Sequence, residues 1–224
     1  GFKWTVLAGR EKLSKSWMAT AVPKKGYVEG RFAVEKCLEF IAENGDSENE
    51  IIVKCDQENA IEFVITELVR ARPKGKTLIE LSPAKSQKDS ASGGSNGDVE
   101  RGIQELTGVM RAILSSLEAK LGHAIDIRER IIAFLPEYAA YLLNRFKKGE
   151  DGKVAYERLR GKKPSVYGLE FGEKCFYQLK GGSKMAKMRP RYGEGIFVGV
   201  RRHSNQLMIC TLSGIVLARD AKRM

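Results

Sequence analysis

No apolar run in this 224-residue chain approaches the ~20 residues that a membrane-spanning helix needs. The most apolar stretch, Ile131 to Leu143, is broken by Pro136, Glu137 and two tyrosines. Cysteine is scarce: Cys37, Cys55, Cys175 and Cys210 include no CxxC pair, which argues against a disulfide-stapled scaffold and a zinc finger. All four fall on apolar periodic positions, which predicts core roles. His123 and His203 are isolated, so surface or loop positions are expected for them. No GxxxxGK[ST] loop and no Ser-His-Asp constellation appears, which removes ATPase and hydrolase-triad readings. There is no signal peptide, and the first residue is Gly1 rather than Met, which points to a truncation or processing point. The expectation is a reduced, soluble, intracellular chain with no membrane partner.

What the chain does have is positive charge, and it is unevenly placed. Lys and Arg number 39 against 28 Asp and Glu, a net charge of +11. Residues 1–144 hold 20 basic and 21 acidic residues, whereas residues 145–224 hold 19 and 7. The whole excess therefore lies in the last 80 residues. Such asymmetry suits a polyanion, because each neutralised phosphate releases counterions. A basic surface kept for solubility and an acidic protein partner are the competing readings.

The periodicity predicts an α/β chain. Phe2, Trp4 and Val6, then Trp17, Ala19 and Ala21, alternate as two hairpin strands. A helix is expected from Val28 to Ala42, closed by Asn44-Gly45, and a short strand follows over Ile51, Val53 and Cys55, ending at Asp56. Residues 59–72 repeat at helical spacing until Pro73, and Thr77 to Leu81 reads as another strand. The order suggests a mixed sheet with helices. Lys85 to Gly97 is rich in Ser, Gly and Lys and reads as a linker or a loop beside a site. Asp98 is placed to cap a long helix with a stripe of Val99, Ile103, Leu106, Met110, Ile113, Leu117 and Leu121. A further helix is expected from Ile127 to Phe146, kinked or restarted near Pro136. From Ser165 onward, short strand-like runs separated by turn signals predict a small antiparallel meander or barrel.

Two acids are well placed for chemistry. Asp56 ends a strand and Glu100 lies in the first turn of the long helix. Carboxylates so placed can converge on Mg²⁺ or Mn²⁺, and a carboxylate cluster can hold two ions for phosphoryl transfer. A turn residue and a dipole-favoured first-turn acid are the plainer readings.

These residues resemble a family. Asn96-Gly97-Asp98-Val99-Glu100-Arg101 is similar to the N-G-x-x-E-R signature of retrotransposon integrases, particularly the copia type. Lys54 to Glu58 resembles their second-aspartate strand. Ala155 to Leu159 and Gly161 to Pro164 are similar to the post-core segment. Gly168 to Gly172, followed by Gly195 to Gly199, resembles the Src-homology-3-like β-barrel that follows the core in the retroelement Pol polyprotein. The resemblance covers nearly the whole chain and implies a ribonuclease-H-like, retroviral integrase-type core over 1–150, a linker over 151–164 and a basic barrel over 165–224. It implies metal-dependent joining of element DNA ends to target DNA, with Asp56 and Glu100 as the second and third members of an Asp-Asp-Glu triad binding Mg²⁺ or Mn²⁺. There are 43 residues between these two, more than is usual, and the surplus fits in the loop at 85–97, where extra length costs only a few tenths of a kcal/mol. The first aspartate has no counterpart, so the fragment is expected to be inactive.

For DNA contact the residues singled out are Lys85, Lys88, Arg101, Lys180, Lys184, Lys187, Arg189, Arg191, Arg201 and Arg202, the later ones interleaved with Tyr177, Tyr192 and Phe197. This mixture suits a surface that tracks the nucleic-acid backbone. A homo-oligomer on DNA, acting in the nucleus, is expected. The alternatives are a catalytically inactive nucleic-acid or chromatin binding module derived from an integrase, and an unrelated α/β protein.

Overall fold

The structure is a computed structural model that describes residues 2–25, 31–82, 97–165, 168–179 and 190–224, with backbone only at 97 and 98. The chain divides into two compact units, Gly1–Thr107 and Gly108–Met224. The division falls inside the long helix, well before the boundary near 150 expected from the sequence.

In the first unit, β1 (Thr5–Arg10) and β2 (Trp17–Val22) form an antiparallel hairpin. Its connection is held by Glu11, which accepts hydrogen bonds from the Leu13 and Ser14 backbone N–H groups and the Ser14 hydroxyl. Helix α1 (Phe32–Glu43) ends at Asn44 as the sequence predicts, with Gly45 at φ 86°. Asn44 also serves the hairpin, since its Oδ1 accepts from the fully buried Ser16 hydroxyl at 2.9 Å while its amide donates to the Phe40 carbonyl. Strand β3 (Ile51–Asp56), helix α2 (Asn59–Ala71) and strand β4 (Thr77–Ser82) make a βαβ unit, with β3 and β4 parallel and in register from Ile51 opposite Thr77. Val34 of α1 and Val64 and Leu68 of α2 form the helix-side core, with Cys37 packed against it.

One expectation is not met in form. The four strands pair as two separate two-stranded sheets, not as one mixed sheet. The α/β character stands, but a ribonuclease-H-like topology is not what these pairings display. Strand β3 alternates as its sequence predicts: Ile51, Val53 and Cys55 face inward, Cys55 buried and the other two half-buried, while Ile52 on the opposite face is 66% exposed. A two-stranded parallel pair cannot cover both of its faces.

Helix α3 (Gly97–Leu121) is the long helix of the sequence reading. It already includes Gly97, so Asp98 lies inside it and not at the cap. Leu106 and Leu117 of the predicted stripe are buried, but Ile103 and Leu121 are exposed. The close contact within the first unit comes instead at Gly102: a Cβ there would sit 2.0 Å from the Trp17 ring. The buried indole of Trp17 therefore lies directly on the α3 backbone, which only glycine allows.

In the second unit, a short 3-10 helix (Arg130–Phe134) leads into α4 (Leu135–Phe146), and Pro136 sits in the first turn, where a missing N–H costs nothing. Residues 151–164, expected as a linker, carry helix α5 (Ala155–Arg160). Strands β5 (Lys174–Gln178), β6 (Tyr192–Val200), β7 (Leu207–Thr211), β8 (Gly214–Ala218) and β9 (Ala221–Arg223) form one antiparallel sheet in the order β8-β7-β6-β5-β9. The meander is as predicted, with β9 added. Among the described residues the pairing order leaves β8 and β9 as edges, and these pairings do not display closure into a barrel. Helix α4 packs on β6. Tyr138 is the centre of that packing, with ring centroids 5.8, 5.5 and 5.7 Å from Tyr141, Phe171 and Phe197.

Candidate functional site

The two acids occupy the local positions the sequence assigned them. Asp56 closes β3, opposite Ser82 in the parallel register, and is exposed. Glu100 lies in the first turn of the described α3 and is exposed, as is Arg101 beside it. Among the described residues, no group of three His, Cys, Asp or Glu side chains could hold a metal ion. The pair falls short of the three-carboxylate cluster that a bridged metal pair requires, so these residues do not by themselves fit the two-metal arrangement. His123 and His203 are exposed, as expected.

Of the basic residues singled out, Lys85, Lys88, Lys180, Lys184, Lys187 and Arg189 lie outside the described residues. Arg191 is exposed immediately before β6, and its carbonyl accepts from the Leu179 N–H at 2.9 Å. Arg201 and Arg202 are half-buried at the turn between β6 and β7. That turn is closed twice: the Arg201 N–H donates to the Gln206 carbonyl at 2.8 Å, and the Asn205 N–H donates to the Arg201 carbonyl at 2.9 Å. Asn205 adopts the left-handed region, φ 53°, which asparagine tolerates better than most residues.

The aromatic side of the expected surface needs correction. Tyr177 and Phe197 are 8% and 1% exposed, so both belong to the sheet interior and cannot stack on bases. Only Tyr192 of the three is partly open, and Lys222 lies 5.2 Å above its ring. Cations interleaved with aromatics along a strand look like a stacking platform in sequence, but alternation sends neighbouring side chains to opposite faces.

The second unit holds 23 basic and 11 acidic residues. Many of its acids are already engaged. Arg158 holds the Asp151 carboxyl down at about 2 by a charge-assisted hydrogen bond, and Arg128 does the same for Asp126. The Lys120 ammonium lowers Glu170, Arg223 contacts Glu173 at 2.6 Å, and Lys174 pairs with Glu194. These pairs consume acids one for one and leave the positive excess intact.

One arginine had no signal in the periodicity. Arg145, in the last turn of α4, is only 6% exposed. Its guanidinium lies 4.5 Å from the Tyr141 ring centroid and 4.4 Å from that of Tyr156 in α5, between two aromatic faces. Nη1 donates to the Ser165 carbonyl at 3.0 Å and Nη2 donates to Asn205 Oδ1 at 2.6 Å. Among the described residues, no carboxylate is one of its partners. The one cue was a tyrosine four residues earlier on the same helix, the spacing that stacks side chains.

No family model matches the chain, and no curated protein matches it. Solved structures do. One is the cryo-EM structure of the simian T-cell lymphotropic virus intasome in complex with PP2A regulatory subunit B56 gamma, in which one chain is similar at 11% identity with a TM-score of 0.43. The match covers 99% of this chain and 75% of that one. Among the described residues, no helix is long and apolar enough to cross a membrane.

Proposed function

We propose that this chain is an integrase-related, DNA-binding protein of the retrotransposon type, and that it holds duplex DNA through phosphate contacts made by its second unit. The observation that carries this reading is the excess of 23 basic over 11 acidic residues in Gly108–Met224, where ion pairing already occupies many of the acids. A field of that sign and density attracts a polyanion without reading its sequence. Within the described part of that unit, Arg191, Arg201 and Arg202 are the residues proposed for these contacts. Lys180, Lys184, Lys187 and Arg189 of the second unit are proposed from sequence to join them, and Lys85, Lys88 and Arg101 of the first unit to add to the same set.

Strand joining is the second step of the proposal. It is favoured by Asp56 and Glu100 standing at a strand end and in a first helical turn, where the integrase resemblance puts two metal-binding carboxylates. Mg²⁺ or Mn²⁺, when bound with a third carboxylate, would supply a Lewis acid and an activated nucleophile. The protein's own part would be to orient the DNA and to offer the two acids. In a nuclear setting it would act as an oligomer on DNA.

The test of binding is a salt titration with a labelled 20-base-pair duplex. Arg201→Glu with Arg202→Glu should weaken binding to any duplex and flatten the dependence of log K on log salt by about 2, roughly 0.9 for each lost phosphate contact. Sequence-restricted loss, or binding indifferent to salt, would overturn the reading. For strand joining, a chain extended upstream by an aspartate-bearing strand should nick DNA with Mg²⁺, and Glu100→Gln should abolish nicking while leaving duplex affinity unchanged. An extended chain that binds but never nicks points to the inactive binding module.

A further inference from the structure

We infer that Arg145 is a positioning residue that joins two stretches of cations, Lys162-Lys163 and Arg201-Arg202-His203, into one phosphate-binding patch. This deepens the proposed DNA-binding reading and rests on it. The geometry is specific. A single guanidinium bonds the Ser165 carbonyl with one nitrogen and Asn205 Oδ1 with another. Ser165 follows the exposed Lys162 and Lys163 by two residues, across Pro164. Asn205 closes the turn that displays Arg201, Arg202 and His203. Two segments about 40 residues apart in sequence are thus held within the span of one guanidinium and two hydrogen bonds, a separation set by the fork's planar geometry.

Burying this cation carries a desolvation cost, and no carboxylate among the described residues offsets it. Aromatic faces and neutral oxygens recover part of that cost while keeping the net charge of the region positive. A carboxylate partner would hold the same segments together but would cancel one positive charge beside the patch. Neutral partners leave the full positive charge of the region to attract an anion. Duplex DNA phosphate is the ligand chemistry, because lysines and arginines spread along two segments can follow a backbone.

The experiment uses the full chain and a labelled 20-base-pair duplex over a range of salt. Three sets of variants are compared: Lys162→Ala with Lys163→Ala, Arg145→Lys, and Asn205→Ala. The lysine pair should bind more weakly, with the salt slope reduced by about 1 to 2. Asn205→Ala keeps every charge and sits at a surface turn, so it tests positioning even if Arg145→Lys fails to fold. It should weaken duplex binding by about 3- to 10-fold, as expected when cations lose their preorganisation. The lysine substitutions should then cost less in the Asn205→Ala background than in the wild type. A merely structural role would lower the melting temperature but leave the salt slope of the folded fraction and that coupling unchanged. If the wild-type chain ignores the duplex, the DNA-binding reading itself fails. If it binds, and the lysine pair or Asn205→Ala has wild-type affinity and slope, the patch is refuted while the DNA-binding reading stands.

Discussion

The two units solve the same problem with different sheets. In Gly1–Thr107 the strands pair two by two, and Ile52, Leu78, Ile79 and Leu81 of the parallel pair remain 39–66% exposed. In Gly108–Met224 five strands share one sheet, and Phe197, Val198 and Val200 on β6 are all at or below 1% exposure, with α4 packed on that strand. A strand flanked on both edges and covered by a helix can bury both of its faces; a strand in a pair cannot. The units share one device. Arg72 in the first is 5% exposed and donates to the carbonyls of Asp46 and Asn49 at 2.6 and 2.9 Å and to the Thr77 hydroxyl. Like Arg145, it ties loops through neutral oxygens, but in a unit of 16 basic and 17 acidic residues.

The largest effect should follow a charge placed in either interior. Val198→Asp and Leu106→Asp each bury an unpaired carboxylate at a site no more than 2% exposed, at a cost of about 4 kcal/mol or more. Each should abolish the cooperative thermal melt seen by circular dichroism; a normal melt for Val198→Asp would break the contrast between the sheets. Trp17→Ala should cost about 3–5 kcal/mol in denaturant titration, and Gly102→Ala about 1–3, because the new Cβ must displace the indole. Arg72→Lys should destabilise by about 1–3 kcal/mol through orphaned carbonyls yet leave duplex affinity per folded molecule unchanged. Loss of affinity there would erase the distinction drawn between the two arginines.

The pH effects are smaller. Burial beside Tyr141 pushes Tyr138 up to about 12. The unfolded chain then loses this proton near pH 10 while the folded one keeps it, so stability should fall as pH rises from about 10 toward 12. Absorbance titration at alkaline pH should show one tyrosine ionising late. Asp151, held at about 2 by Arg158, works in the other direction. Its contribution is present above its ordinary value of 3.8 and fades as pH falls from about 4 to 2, and Asp151→Asn should flatten that part of an acid melt. Since the group is exposed, salt should shrink the difference.

Much of the local structure was legible. The Asn44-Gly45 stop, Pro73 after α2, the restart at Pro136 and the run of short strands after Ser165 follow from rules acting within a few residues, and the chain obeys them. Asp56 and Glu100 were placed correctly on their elements for the same reason. What escaped was anything set by a partner distant in sequence. Gly102 reads as an ordinary weak point in a helix until Trp17 is known to lie on it. Tyr177 and Phe197 read as a surface until the sheet turns them inward. Arg145 reads as one more basic residue until Tyr156, Ser165 and Asn205 surround it.

The sequence by itself determined most of the helices and strands and their order, α5 and β9 excepted, together with the split of charge and the scarcity of soft metal ligands, because propensity, capping and net charge are sums over neighbours. Only the tertiary structure decided which strands share a sheet, which cations are buried and which segments one guanidinium binds together, because those depend on contacts whose closure entropy and desolvation are settled across the whole fold at once.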